Sequence, residues 1–205
     1  MATEHRFKVV LLGEGAVGKS SLMLRYVENK FSPRHLSTIQ ASFLSKSLDV
    51  DGEQVELNIW DTAGQEKYHA LGPIYYRGSN GALLIYDITD QGSFEKVKMW
   101  IKELKRALGE SCSLLIVGNK LDLERSRSVP VDQAKEYAAS VGADYMETSA
   151  KENLGISNVF ESLCRTMMSS EQRTDSHRAT ETPTGRRTIQ LVDDETPQRK
   201  GRCCK

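Results

Sequence analysis

Apolar positions fall along the chain in two kinds of block, short solid runs and longer stretches at helical spacing. Residues 7–12 are the first solid run, apolar enough to be buried on both faces, and predict a strand. Residues 21–28 follow with helical character. Residues 30–41 carry Pro33, His35, Ser37 and Thr38 with no clean period, which predicts a loop. Two strand-like runs come next, 42–50 and 54–60, joined by Asp51-Gly52, a strong hairpin signal. Residues 61–78 are irregular, with room for one short helix, and 82–88 predict a fourth buried strand. Phe94, Val97, Ile101, Leu104 and Leu108 then recur at helical spacing. Residues 113–117 predict a fifth strand, and Val131, Ala134, Ala138 and Val141 mark a helix after Pro130. Residues 144–146 predict a short sixth strand. Ile156, Val159, Phe160, Leu163, Cys164 and Met167 give the last amphipathic helix.

Strands alternating with helices imply right-handed βαβ crossovers, hence an α/β fold. The expected architecture is a six-stranded, mainly parallel sheet with helices on both faces and one antiparallel edge strand from the hairpin. Ligand loops then gather at the carboxyl ends of the strands. The pattern stops after Ser169. Residues 170–202 are rich in Ser, Thr, Arg, Asp, Glu and Pro, and cannot bury enough surface to offset the entropy of ordering. The expected division is a domain over 1–169 and a flexible tail over 170–205. One apolar spot interrupts the tail: Ile189, Leu191 and Val192, flanked by Arg186-Arg187 and Asp193-Asp194. An incidental cluster and a docking motif stand level there.

Composition narrows the classes. The chain has 205 residues with 28 basic and 28 acidic side chains, a balance that argues against nucleic-acid binding. No apolar run approaches the roughly 18 residues of a membrane span. The start is too short and too acidic for a signal peptide, so a cytosolic chain is expected. Cys112 and Cys164 sit alone in apolar segments and read as core residues, so no disulfide framework is expected.

The chemistry concentrates first at Gly13-Glu14-Gly15-Ala16-Val17-Gly18-Lys19-Ser20, between a predicted strand and a predicted helix. That context makes G-x-x-x-x-G-K-S a phosphate loop. Glycines let successive N–H groups turn inward, and the helix N-terminus adds its positive end. Lys19 is expected along the β- and γ-phosphates, and the Ser20 hydroxyl on Mg²⁺. Chance produces the pattern in roughly one chain in a hundred of this length, so a mere glycine-rich turn is a poor rival.

Four further signals sit where strands end. Thr38 offers a hydroxyl for Mg²⁺ and an N–H for a γ-phosphate, although alone it is only a loop threonine. In Asp61-Thr62-Ala63-Gly64-Gln65, Asp61 could hold Mg²⁺ through water, Gly64 could offer its N–H to the γ-phosphate, and Gln65 could orient the attacking water. In Asn119-Lys120-Leu121-Asp122, a carboxylate at Asp122 can accept from both N1–H and the 2-amino group of guanine, which adenine lacks. In Ser149-Ala150-Lys151, the Ala150 N–H could meet guanine O6. Singly each is as readily a polar turn. Together, in this order behind a phosphate loop, they select GTP or GDP, with Ser21 completing the phosphate-side set.

Through these residues the chain over about 7–168 resembles a Ras-superfamily small GTPase. Within the superfamily it resembles the Rab branch, through Ile39-Gln40-Ala41-Ser42-Phe43, Glu56-Leu57-Asn58-Ile59-Trp60, Tyr75-Tyr76-Arg77-Gly78 and Leu84-Ile85-Tyr86-Asp87-Ile88-Thr89. Gly13-Glu14 and Gln65-Glu66-Lys67-Tyr68-His69-Ala70-Leu71 look most like the endosomal subgroup. The resemblance implies a GTP-dependent switch in which GTP orders the loops around Thr38 and Gly64, and hydrolysis releases them. It implies that Phe31 packs on the guanine, and that Phe43, Trp60 and Tyr75, with Ile39, form the surface that effectors read. By itself an aromatic set in a sheet favours a core. The implied partners are an exchange factor, a GTPase-activating protein, a GDP-dissociation inhibitor or escort protein, and effectors, met by a monomer at the cytoplasmic face of endosomal or other endomembranes. There are departures. Many Rabs carry Ile-Gly-Val-Asp-Phe where this chain has Gln40, Ala41 and Ser42, so another Rab's effector set does not transfer. His35 stands where relatives often have a larger aromatic, a departure that bears on exchange. Rab-directed activators typically supply both an Arg and a Gln, which leaves Gln65 chiefly to slow intrinsic hydrolysis.

Three rival functions fit less. A metabolic P-loop kinase gives Asn119–Asp122 no purpose. A nucleotide-locked scaffold is opposed by Gln65 and by Gly15, where a side chain would crowd the attacking water. A nuclear-transport GTPase is disfavoured by the terminus, Arg202-Cys203-Cys204-Lys205. A C-a-a-X box needs cysteine fourth from the end, and Arg202 stands there. The Cys203-Cys204 pair resembles a doubly geranylgeranylated Rab terminus, and two lipid chains hold a membrane where one is marginal. Arg199, Lys200, Arg202 and Lys205 add attraction to anionic lipid. Ile189, Leu191 and Val192 are the candidates for docking the escort protein. Replacing Cys203 and Cys204 together with Ser is expected to leave the protein in the soluble fraction of fractionated cells. Membrane association that persists would mean another anchor.

Overall fold

The structure, a computed structural model, describes residues 4–33, 38, 41–62, 72–109 and 111–180, without the side chains of 72–73 and 174–180. The apolar runs form strands β1 (Glu4–Leu12), β2 (Ser42–Val50), β3 (Glu53–Asp61), β4 (Gly81–Asp87), β5 (Ser113–Asn119) and β6 (Asp144–Glu147). Between and after them lie helices α1 (Lys19–Glu28), α2 (Gly72–Tyr76), α3 (Gln91–Leu108), α4 (Val131–Ser140) and α5 (Ile156–Thr180). The sheet order is β2-β3-β1-β4-β5-β6. Every pairing is parallel except β2 with β3, so the antiparallel strand sits at the edge, as the pattern predicts.

Every residue of β4 and β5 is buried, because helices cover both faces of the sheet. Successive residues point to opposite faces. Val9, Leu11, Leu83, Ile85, Leu115 and Val117 pack with α1 and α5, where Tyr26 stacks on Phe160 with centroids 3.8 Å apart. Val10, Leu12, Leu84, Tyr86, Leu114 and Ile116 pack with α3 and α4 through Phe94, Val97, Ile101 and Ala134. Cys112 and Cys164 are free and buried, as expected. The hairpin turns on Asp51 (φ 56) and Gly52 (φ 89), the pair of positive φ angles that a two-residue turn of this hand demands.

Two features depart from the pattern. A 3₁₀ segment over Leu121–Ser126 follows β5; one short turn carries too few residues to show a period. α5 continues to Thr180, past the expected limit at Ser169. Low apolar content predicts no buried face, but elongation of an established helix needs only one backbone bond per residue, and the chain has no Gly or Pro from 156 to 182. Among the described residues no helix is long and apolar enough to cross a membrane.

The extension is tied back to the sheet. His5 Nδ1 lies 2.9 Å from Glu171 Oε2 on α5, and Nε2 lies 2.6 Å from Glu53 Oε2 at the start of β3. A second tie joins α5 to the hairpin, with Arg165 Nε donating to Asp51 Oδ2 at 2.9 Å. Burial of His5 works against the imidazolium, but the hydrogen bonds and charges of Glu171 and Glu53 outweigh it and raise the pKa above 6.5. A group with a raised folded pKa stabilises fully below its unfolded value and loses that contribution as pH rises through the folded one. His5→Gln is therefore expected to lower the melting temperature by about 2 °C near pH 6, with the gap closing by pH 8.5. A gap independent of pH in thermal melts would refute the clamp.

Candidate functional site

β1 ends at Leu12 and the chain turns at Gly13 with φ 147. A Cβ there would collide with the Ile85 carbonyl, so β4 permits no side chain. Gly18 (φ 100) caps α1 and lies against the Asn119 side-chain amide, which excludes a Cβ a second time. Between them Ala16 takes a left-handed φ of 61, and the loop closes around one ammonium. Lys19 is 5% exposed, and its Nζ donates to the carbonyls of Gly13 at 2.9 Å and Glu14 at 2.7 Å. Desolvation pushes its pKa down to about 8, although the charges of Asp61 and Glu14 work the other way. A buried cation whose hydrogen-bond partners among the described residues are two carbonyls gains further from an anion placed in the loop.

Three oxygen donors converge beside that lysine. Ser20 Oγ donates to Asp61 Oδ2 at 2.5 Å, and Thr38 Oγ1 lies 2.7 Å from Ser20 Oγ and 3.5 Å from Asp61 Oδ2. Asp61 closes β3 and is fully buried, and next to it Thr62 Oγ1 donates to the Leu11 carbonyl at 2.8 Å. One carboxylate and two hydroxyls are hard ligands in too small a number for an all-protein cage. They fit Mg²⁺, which completes its shell with phosphate oxygens and water. Among the described residues no group of three or more His, Cys, Asp or Glu is placed to hold a metal.

The segments expected on the base side are bound to one another and to the loop. Asn119, 1% exposed at the end of β5, donates from Nδ2 to the Val17 carbonyl at 2.8 Å. Its Oδ1 accepts from Thr148 Oγ1 at 3.1 Å and from the Ala150 N–H at 3.3 Å. Ser149 Oγ donates to Asp122 Oδ1 at 2.6 Å, while Lys151 Nζ is 3.6 Å from Asp122 Oδ2. Lys120, at φ 68, places Nζ 2.6 Å from Asp87 Oδ2. Burial opposes ionisation of Asp87, but Lys120 and the hydrogen bonds from Thr89 outweigh it and hold the carboxyl below its usual range. A cavity of about 610 Å³ opens beside α1, with Ser21, Arg25 and Phe31 among its lining.

The structure thus brings Gly15, Ala16, Val17, Gly18, Lys19, Ser20, Ser21, Thr38, Asp61, Asn119, Lys120, Asp122, Ser149, Ala150 and Lys151 to the carboxyl end of the sheet and its neighbouring loops, with Phe31 by the cavity. Ile39, Gly64, Gln65, Ile189, Leu191, Val192, Cys203 and Cys204 lie outside the described residues. Elsewhere, Phe43 and Trp60 are directly opposed across β2 and β3, with ring centroids 5.2 Å apart, and Tyr75 lies 6.4 Å from Trp60. Phe43 is 47% exposed and Lys8 sits over the Trp60 ring, while Trp60 is partly buried against the core, so this set reaches from the core to the surface. Sequence reasoning missed the structural parts played by Asp87, Thr148 and Arg25. A carboxylate closing the buried run 81–87 was a usable signal for Asp87. Thr148 and Arg25 act through contacts that only the fold reveals.

Comparison with known proteins agrees with this geometry. The family model described as the Ras family matches residues 8–169. The chain is 55% identical over 206 residues to the human Ras-related protein Rab-21, covering 98% of this chain and 91% of that one. It is 51% identical over 208 residues to Rab-21 of Dictyostelium discoideum, covering 98% of each. It is 59% identical over 161 residues to Rab-21 of Geodia cydonium, covering 78% of this chain and 70% of that one. With its phosphate loop, hard-oxygen cluster and interlocked base-side segments at one end of a Ras-like sheet, the chain belongs to the Ras family, in its Rab branch, and is a GTPase.

Proposed function

We propose that the chain is a membrane-recruited traffic switch that binds GTP and GDP with Mg²⁺ and recruits effectors in its GTP form. The observation that carries this reading is the convergence of Ser20, Thr38 and Asp61 beside buried Lys19. Gly15, Ala16, Val17 and Gly18 offer backbone N–H groups to the phosphates, Ser21 adds one at the start of α1, and Lys19 neutralises charge on the β- and γ-phosphates. Ser20, Thr38 and Asp61 hold the metal, which when bound supplies charge neutralisation on the phosphates. Gln65 orients the attacking water and Gly64 meets the γ-phosphate, with slow unassisted turnover that an activating protein accelerates.

Asp122 selects guanine, Ala150 offers its N–H to O6, and Asn119, Lys120, Ser149 and Lys151 keep that pocket in shape, with Phe31 packed on the base. Thr38 belongs at once to the metal cluster and to the segment leading to Phe43, so loss of the γ-phosphate loosens the surface of Ile39, Phe43, Trp60 and Tyr75. That coupling is what an effector senses. Residues beyond the last helix form the tail, and geranylgeranyl groups on Cys203 and Cys204 anchor a monomer to endosomal or related membranes, with a dissociation inhibitor returning it to the cytosol. The high identity to Rab-21 proteins supports the endosomal assignment.

Replacing Ser20 with Asn lengthens the side chain and removes a hydroxyl from the metal cluster. Because the γ-phosphate shares the metal, affinity for Mg²⁺·GTP is expected to fall at least about tenfold more than affinity for GDP. Fluorescence titration of both nucleotides checks this. An equal loss for the two would remove Ser20 from the metal site.

A further inference from the structure

Arg25, half-buried near the end of α1, reaches two separate pieces of chain with one guanidinium. Nε donates to the Ala150 carbonyl at 3.0 Å and Nη2 to the Lys151 carbonyl at 3.3 Å. Nη1 donates to the Asn29 carbonyl at 3.2 Å and to Asn29 Oδ1 at 3.3 Å. The same group lies 5.6 Å from the centroid of the Phe31 ring, within cation–π range.

We propose that Arg25 is the positioning residue that sets the rate of nucleotide release, by locking the base-side segment 149–151 to the segment bearing Phe31. The proposal rests on the guanine-site reading above. Its physical content lies in the geometry of the fork. A planar guanidinium offers five N–H donors in fixed directions, so it can serve two strands of chain and an aromatic face at once, which a lysine ammonium on a flexible stem cannot do in the same way.

Ala150 is pinned from both sides, its N–H by Asn119 Oδ1 and its carbonyl by Arg25. The chain leaves α1 at Asn29, a left-handed cap (φ 53) whose N–H donates to the Arg25 carbonyl at 3.1 Å. Backbone and side chain of the same residue therefore fix where the chain departs toward Phe31. A base held between Phe31 and 149–151 escapes only when one of these moves, and Arg25 makes the two move together. A partner that pulls the Phe31 segment outward also strips hydrogen bonds from the carbonyls of Ala150 and Lys151. Asn119 remains in place when Arg25 is lost, so the domain is expected to fold without it.

The experiment follows release of N-methylanthraniloyl-GDP from Arg25→Ala under excess unlabelled GDP and Mg²⁺, beside single-turnover hydrolysis of bound GTP. Losing both hydrogen bonds to the segment 149–151 is expected to speed release about tenfold, with the hydrolysis step changed less than about twofold. Arg165→Ala, which breaks the hairpin contact with Asp51 instead, is expected to leave release unchanged. If Arg25→Ala does not fold, Arg25→Gln keeps an amide donor on a shorter stem and is expected to show a smaller acceleration in the same direction. Release within about twofold of wild type overturns the proposal. So does parallel acceleration in Arg165→Ala, or a hydrolysis rate that shifts along with release, since either marks a general loosening of the domain. Failure of the wild-type protein to bind the labelled GDP overturns the guanine-site reading itself.

Discussion

Asn119 Nδ2 donates to the Val17 carbonyl at 2.8 Å, while Asn119 Oδ1 accepts from Thr148 Oγ1 and from the Ala150 N–H. One buried amide thereby joins the phosphate loop, the end of β5 and the segment after β6. Each group it satisfies is shut away from water, where an unpaired donor or acceptor costs about 1–3 kcal/mol. It also explains Gly18: the Asn119 amide occupies the space a Cβ would need. The spacing between the loop after β1 and the segment after β6 is thus set by hydrogen bonds within the protein itself, and contacts of that kind lower the cost of ordering a site.

A second constraint is charge. Lys19 and Asp61 are both nearly or fully buried, and neither would remain ionised in an apolar interior without compensation. The fold supplies it partially, with two carbonyls for Lys19 and the Ser20 hydroxyl for Asp61. The desolvation that depresses Lys19 is the same quantity a phosphate would relieve. A site that buries a cation beside hard oxygen donors is therefore biased toward an anion and its metal together. At the end of β6, Arg127 donates to Glu147 Oε1 at 2.7 Å, and Tyr145 donates to the same oxygen at 2.6 Å. This polar network links the 3₁₀ segment to the end of β6 and stiffens the frame that Asn119 closes.

Much of this was legible in the chain because buried strands write solid apolar runs and covered helices write a 3.6-residue period. Residues 82–88 and 113–117 were readable as central strands for that reason, and Asp51-Gly52 announced the edge hairpin. The candidate site was legible wherever it depended on consecutive residues: the structure brings residues 13–20 and 119–122 to the same end of the sheet. What stayed hidden depends on contacts far apart in sequence. Nothing local to Arg25 points to Ala150, and nothing near His5 points to Glu171. The length of α5 stayed hidden because polar composition reports the lack of a buried face and says little about whether the helix continues. The aromatic set shows the reverse: Phe43 reads as core by composition, and the edge position of β2 leaves it 47% exposed.

Base selection by Asp122 is the claim on which the guanine-nucleotide account turns, and the nucleotide preference of Asp122→Asn tests it most directly. On this account the wild-type carboxylate would accept two hydrogen bonds from the N1–H and 2-amino group of guanine. An amide offers a donor in place of one acceptor, which suits xanthine, whose C2 bears a carbonyl. Competition between GDP and xanthosine diphosphate is predicted to favour GDP in the wild type and xanthosine diphosphate by about tenfold or more in the variant, since a mismatched buried polar pair costs at least about 1–3 kcal/mol. Equal weakening of both nucleotides, with the wild-type preference retained, would contradict the account.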